Sequence, residues 1–376
     1  MTIARLKPSV EPFPASDGDL YLLRSDSGED VVLRQPTPFA RGLIDALASG
    51  APLPSDPPTA ASVAQLEEAG VVARGPLDPA AAGLSDTEAL RYDRQLHYFD
   101  DQARPGRGAA DMQLALRDAT VVVLGAGGLG SWTMAGLACA GVGRIVAVDD
   151  DTIELSNLNR QVLYRTADIG RRKVDVAAEA LCALNPELDV VPLARRVDGI
   201  DDARSACAGA DFVVCTADSP VHEIGRWVNR ACLELGLPHT SAGQFPPRVR
   251  IGPTFVPGRT ACLECQESAV RRDFPLYDEL VEHRKRTAPV AATLGAPSGL
   301  IGSLLAMEVI HWIAGISQPA TLGRALVFDL RDFSSRFECV EPDPGCALGC
   351  GDQRAAGAAA AGVDDEPTPS RIVWAC

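Results

Sequence analysis

Residues 121–173 carry the chemistry of this chain. An apolar run, Val121–Leu124, meets Gly125-Ala126-Gly127-Gly128-Leu129-Gly130, and a helical pattern follows. Gly125, Gly127, Gly128 and Gly130 permit a tight turn and close backbone approach to phosphate at a helix N-terminus. A second apolar strand, Arg144–Val148, ends in the run Asp149-Asp150-Asp151. Asp149 stands where an acid can hold ribose hydroxyls, and Asp151 is counted with it among the nucleotide-binding positions. To this point a nicotinamide dehydrogenase fits equally well. Asn157, Arg160 and Lys173 then add a polar side chain and two cations just beyond the acid. A dehydrogenase has no need of cations there. A nucleoside triphosphate that loses pyrophosphate does, because charge builds on bridging oxygens as an anionic nucleophile attacks phosphorus.

Other residues extend the set. Asp218 closes the strand pattern Phe212–Thr216 and its Ala217 extension. A carboxylate at a strand's C-terminal edge, across from the glycine loop, can hold Mg²⁺ on a triphosphate; it can also cap the next helix. Cys262-Leu263-Glu264-Cys265 and Cys346-Ala347-Leu348-Gly349-Cys350 form two cysteine pairs. Four thiolates can close a tetrahedral, structural zinc site tying a crossover loop to the C-terminal segment. The wider second spacing leaves Cys339 open as a substitute ligand. Residues 266–338 hold no cysteine. The loop expected there reads His283-Arg284-Lys285-Arg286-Thr287, a basic cluster that either guides an anion or is simply solvated.

These side chains need a large framework, and 376 residues supply enough for two or three domains. A formal charge of −15 argues against a broad nucleic-acid surface. No run of 18 uninterrupted apolar residues and no basic-then-apolar N-terminal signal is present, so the chain reads as soluble and cytoplasmic, with no membrane partner. Cys139, Cys182, Cys215 and Cys232 sit in apolar patterns and read as buried free thiols.

Residues 1–78 read as a separate module. It has short strands at Tyr21–Arg24 and Val31–Arg34, and a helix from Thr37-Pro38 with Phe39, Leu43, Ile44 and Leu47 on one face. A second helix over Thr59–Ala69 and a closing strand at Val71–Ala73 complete it. That order is a winged-helix pattern with few basic residues. A linker at 79–86 leads to the main domain, 87–351. There Val190–Val197, a helix from Ile200, the Phe212 strand, a helix near Ile224–Leu235 and strands near Val249–Phe255 predict a Rossmann-like α/β fold: a mixed sheet with helices on both faces. Leu300–Ile313, apolar nearly all round, predicts a buried helix. Residues 352–376, rich in Ala, Gly and Pro, predict a disordered tail.

The glycine loop, Asp149, the Asn157-Leu158-Asn159-Arg160-Gln161 block and Lys173, in that order and spacing, resemble the adenylating domain of ubiquitin-activating-type enzymes, which include sulfur-carrier adenylyltransferases. The resemblance implies ATP as the nucleotide, Asp218 as the Mg²⁺ ligand, and zinc on the cysteine pairs. It implies that Leu90-Arg91-Tyr92-Asp93-Arg94-Gln95 is the short helix whose second arginine, Arg94, reaches the partner's ATP site in a homodimer; the plain alternative is a surface cation. Asp218 is followed by Ser-Pro-Val-His-Glu, which departs from the sulfur-carrier enzymes. Three features resemble the microcin C-type peptide adenylating enzymes instead. One is the N-terminal module, similar to domains that bind the leader of a ribosomally made precursor peptide, although an oligomerisation or capping role also fits. Another is the missing loop cysteine. The last is the wording Ala217-Asp218-Ser219-Pro220, Trp227-Val228-Asn229, Gly252-Pro253, Val256-Pro257-Gly258-Arg259, Cys262–Gln266 and Ala288-Pro289. By that resemblance the enzyme activates a peptide carboxylate without an enzyme thioester. A sulfur-carrier activator and a non-catalytic docking partner of a cyclising enzyme are the competing readings.

Overall fold

The structure is a computed structural model, and it describes residues 2–25, 28–76, 83–104, 106–287 and 292–350. The expected tail, the first half of the expected linker and Ala288-Pro289 lie outside these residues.

The N-terminal segment forms strands β1 (Thr2–Leu6), β2 (Val10–Pro14), β3 (Leu20–Arg24) and β4 (Val31–Leu33), helices α1 (Pro38–Ser49) and α2 (Pro57–Glu68), and strand β5 (Val72–Pro76). β2, β3 and β4 make an antiparallel sheet, and β1 pairs with β5. Thr37 caps α1, its Oγ1 accepting from the Ala40 N–H at 3.2 Å, and Pro38 takes the first helical position. Leu43, Ile44 and Leu47 enter a core with Leu22, Val63 and Leu66. Phe39 does not join them, because the first turn of α1 projects past that core.

Helices α3 (Asp86–Arg91) and α4 (Asp93–Asp101) follow, broken at Tyr92. The C-terminal end of α4 is held by the N-terminal segment. Arg5 Nη2 donates to Asp100 Oδ2 at 2.5 Å, Lys7 Nζ to the Asp101 carbonyl at 3.1 Å, and the Ser9 N–H to Asp101 Oδ1 at 2.7 Å.

The large sheet is built from β6 (Thr120–Leu124), β7 (Arg144–Val148), β8 (Asp189–Leu193), β9 (Phe212–Cys215), β10 (His239–Phe245), β11 (Arg248–Phe255), β12 (Arg324–Asp329) and β13 (Ser335–Cys339). Its order is β13-β12-β11-β10-β9-β6-β7-β8. The five strands from β8 to β10 run parallel, and β11 to β13 add antiparallel partners. The strand period divides the core. Val121 and Val123 face one cluster with helices α5 (Ala109–Asp118), α6 (Gly128–Ala140), α7 (Lys173–Leu184) and α12 (Gly295–Ala314). Val122 and Leu124 face another with α8 (Ile200–Cys207) and α9 (Glu223–Leu235). This is the mixed sheet with helices on both faces that the residue pattern predicts.

Some expectations need correction. The basic cluster 283–287 is not loop but the last turn of α11 (Tyr277–Thr287), which follows α10 (Leu263–Asp273). There Lys285 is tied to Glu223 and Glu282 at 2.5 and 2.8 Å. α12 is long and apolar enough to cross a bilayer by length and composition, yet its inner face packs in the core against α6. Its outer face is not buried: Leu300 and Ser303 are exposed and Leu304 and Ile310 half-covered, since the sheet lies on one side only. Cys215 and Cys232 are buried as expected. Cys139 and Cys182 are exposed, because they lie on the outward faces of α6 and α7.

Candidate active site

The strand order reverses between β6 and β9, and the loops after these strands touch there. Gly125, at φ +95°, passes so close that a Cβ would stand 2.7 Å from the Ala217 nitrogen. At Gly130 a Cβ would lie 1.9 Å from the Gly125 carbonyl oxygen, so α6 begins against the loop only because that residue has no side chain. Thr216 Oγ1 donates to the Leu124 and Gly125 carbonyls at 3.0 and 2.9 Å, and Tyr164 Oη to the Ala126 carbonyl at 2.7 Å. The first turn of α6 thereby points its free N–H groups into a cleft of about 620 Å³ over the carboxyl ends of β6, β7 and β9.

Every expected residue except Arg94 and the cysteines lines that cleft or, for Gly130, supports its floor. Asp149 Oδ2 accepts from the Ala126 N–H at 2.7 Å and Oδ1 from the Asp151 N–H at 2.8 Å. Each oxygen keeps a second lone pair for a ribose hydroxyl. Burial raises the Asp149 carboxyl above the usual carboxylate range, against the pull of Lys173 and the two backbone donors. Lys173 opens α7, is almost fully buried, and sets its Nζ 2.6 Å from Asp151 Oδ2. Asn157 is buried, and its Oδ1 accepts from the Glu154 N–H at 3.0 Å, which folds the turn that carries Arg160. Arg160 Nη1 donates to the Ser156 carbonyl at 2.7 Å and Asn159 Oδ1 at 3.0 Å. Asp218 stands exposed at the rim, three residues past β9. It does not cap the next helix: α9 begins after His222, which adopts φ +65°.

The cleft also uses residues given no role in the sequence. Gln161 is buried and its Oε1 has no hydrogen-bond partner among the described residues. It belongs to the Asn157–Gln161 block, and the missing signal is charge. Gln244, at the end of β10, donates from Nε2 to Ser298 Oγ at 2.6 Å and ties the first turn of α12 to the cleft. Arg195 and Arg196 form the far wall.

Arg94 is absent from the cleft of its own chain; its side chain is 93 % exposed, with only Asp93 at 3.5 Å as ion-pair partner among the described residues. Away from the cleft, Cys262, Cys265, Cys346 and Cys350 converge, with ligand atoms all within 4.8 Å of one another. Sulfur separations of 3.9, 3.6 and 3.3 Å are far longer than a disulfide. They approach the edge of about 3.8 Å that tetrahedral ligation at 2.3 Å requires. Burial pushes the Cys262 thiol up to about 12, so this sulfur becomes a thiolate only with a cation beside it. Cys339 is exposed at the end of β13, outside the cluster.

Comparison with known proteins agrees with this geometry. The sequence model of the ThiF family matches residues 92–348. The molybdopterin-synthase adenylyltransferase of Salmonella typhimurium is 33 % identical over 273 residues, 72 % of this chain and 99 % of that one. The crystal structure of Escherichia coli MccB with ATP superposes with a TM-score of 0.69 at 25 % identity, covering 93 % of this chain and 99 % of that one. The microcin C7 biosynthetic enzyme MccB in complex with N-formylated MccA has a TM-score of 0.70, with 93 % and 99 % coverage; at 23 % identity it speaks to the fold alone. A loop built for a nucleotide, cations behind it and a match over most of the length lead to one assignment: the chain belongs to the ThiF family and is an E1-like adenylyltransferase.

Proposed function

We propose that this enzyme uses Mg-ATP to adenylate a carboxylate of a ribosomally made precursor peptide whose leader is held by residues 1–78. The observation that carries this reading is the N-terminal segment. The ThiF match begins at residue 92 and the Salmonella relative covers 72 % of the chain, whereas the MccB likeness extends over 93 %. An added module that is not needed to bind ATP is best explained by the substrate. The lack of any cysteine between Cys265 and Cys339 supports direct use of the acyl-adenylate, without an enzyme thioester.

In this mechanism a peptide carboxylate oxygen attacks the α-phosphorus, and the bond to the bridging oxygen of pyrophosphate breaks. The products are an acyl-adenylate and pyrophosphate. The α6 N-terminus and the glycine loop cradle phosphate oxygens. Lys173, released from Asp151, and Arg160 oppose the charge that grows on the leaving pyrophosphate, while Asp149 fixes the ribose and Asn157 holds the Arg160 turn in place. Asp218 is the ligand offered to a magnesium ion, which would neutralise triphosphate charge. The four-cysteine cluster fits zinc, which would act structurally, since four thiolates fill a tetrahedral set. The half-bare apolar face of α12 and the outstretched Arg94 support a homodimer in which Arg94 completes the partner's cleft.

Incubation of the protein and Mg-ATP with any short precursor peptide found encoded beside its gene tests the proposal. Intact mass should rise by one AMP or fall by one water, with pyrophosphate released. The identity shared with the Salmonella enzyme favours a second reading, a sulfur-carrier activator. Adenylation of a carrier protein ending in Gly-Gly, with the peptide untouched, would establish it. A peptide bound but unchanged would point to docking without catalysis.

A further inference from the structure

A second cavity, of about 510 Å³, adjoins the nucleotide cleft. The two share Phe245, which is 65 % exposed at the β10–β11 turn. Beyond it lie Arg248 and Arg250 of β11, Val327 of β12, Arg331 in the turn after β12, and Glu338 of β13. Three arginines against one carboxylate make a cationic spot on a chain of net charge −15.

The arginines are not equally neutralised. Asp329, behind the cavity, takes Arg331 through two bonds of 3.0 and 2.8 Å. Arg248 reaches the same carboxylate only at 3.7 Å. Arg250 has Glu338 at 3.9 Å as its ion-pair partner, and Glu338 is already bound by Arg336 at 2.7 Å. With the Gln266 amide turned to suit its neighbours, its oxygen accepts from both Nη atoms of Arg250 at 3.0 Å, and the buried Arg250 Nε has no acceptor among the described residues. Arg248 and Arg250 are two apart on one strand, so both side chains stand on the same face, about 7 Å apart. A half-buried guanidinium whose charge is met only by a neutral amide and a carboxylate at 3.9 Å leaves room for a closer anion at its exposed Nη groups.

We propose that this cavity receives the residues just before the activated carboxylate, and that Arg248 and Arg250 select a peptide with an aspartate or glutamate there. The inference rests on peptide activation in the neighbouring cleft. Phe245 marks the path: a chain whose end group lies by the glycine loop passes this ring and enters the cavity. A peptide whose end group lies in the cleft can bring a side-chain carboxylate to these arginines while its backbone remains continuous with the reacting end.

The test uses the full-length protein, Mg-ATP and hydroxylamine with a synthetic pool of random hexapeptides bearing free C-terminal carboxylates. Hydroxylamine converts each acyl-adenylate to a hydroxamate, releasing AMP, and mass spectrometry then sequences the hydroxamates. Asp and Glu should be enriched several-fold at the positions just before the reacting end. The enrichment should fall toward unity in Arg250→Gln and in Arg248→Gln, and Arg250→Lys should keep part of it. Arg248 is half exposed, so its variant separates recognition from folding if Arg250→Gln is unstable. Hydroxamates without acidic enrichment, or enrichment unaltered in the variants, would overturn the inference and leave the proposed function intact. Hydroxamate formed from an added Gly-Gly-ending carrier protein but from no peptide would overturn both.

Discussion

Lys173 begins its helix already locked, its ammonium 2.6 Å from Asp151 and its backbone N–H 3.0 Å from the Asp151 carbonyl. The pair holds a buried cation ready where a triphosphate must lie. Lys173→Ala should therefore cut ATP–pyrophosphate exchange about 10²–10³-fold, while peptide affinity, measured by calorimetry, stays close to wild type. Gly130→Ala tests the loop itself. A methyl 1.9 Å from the Gly125 oxygen must push α6 off the loop, so a lowered melting temperature and loss of the ATP-induced thermal shift are expected. These positions were legible in the sequence because phosphate chemistry restricts residue type: glycine for approach, lysine and arginine for charge. Gln161 and Gln244 were not, since an uncharged amide gives no such sign. For Asp218 the sequence left a helix cap open, and the fold removes that reading by starting α9 five residues later.

The elements were legible where one period prevails. β6, β7 and β9 are near-continuous apolar runs and read directly. β2 did not, because Pro12 and Pro14 weaken any strand signal. β13 alternates charged and apolar residues on a largely exposed edge, and α11 was hidden by its terminal basic run. β10 hides a titration. His239 is buried against Phe255, and burial lowers its pKa to about 4. Below pH 6.5 the unfolded chain takes up a proton that the folded ring refuses until about pH 4. The stability is thus whole above pH 6.5 and drains as pH falls through that window, by roughly 3 kcal/mol at most. Denaturant midpoints at pH 7 and pH 4.5 should differ more in wild type than in His239→Gln. The cysteine cluster joins α10 to the segment 346–350. Metal analysis should find one zinc per chain, and chelation or Cys265→Ser should lower the melting temperature without removing ATP binding at low temperature.

At the scale of the whole molecule, the proposed function divides the labour between two segments. Deleting residues 1–78 should weaken peptide binding and leave the ATP-induced thermal shift; unchanged peptide turnover after the deletion would refute leader recognition. Dimer architecture can be read from activity. Arg94→Ala and Lys173→Ala, each inactive alone, should regain about one quarter of wild-type exchange when mixed and allowed to swap subunits, because half the dimers then carry one complete cleft. Recovery of nothing would place Arg94 outside the partner's site.

The clasp on α4 acquires a wider meaning in such a dimer. Arg5, Lys7 and Ser9 grip one end of this helix, and Arg94 projects from the other, about 10 Å away. If Arg94 completes the partner's cleft as proposed, the helix would be a short lever with its handle in one subunit's N-terminal segment and its tip in the other subunit's chemistry. Cargo seated on one copy would then steady the reaction in its twin, and each half of the dimer would take its readiness from what the other is carrying.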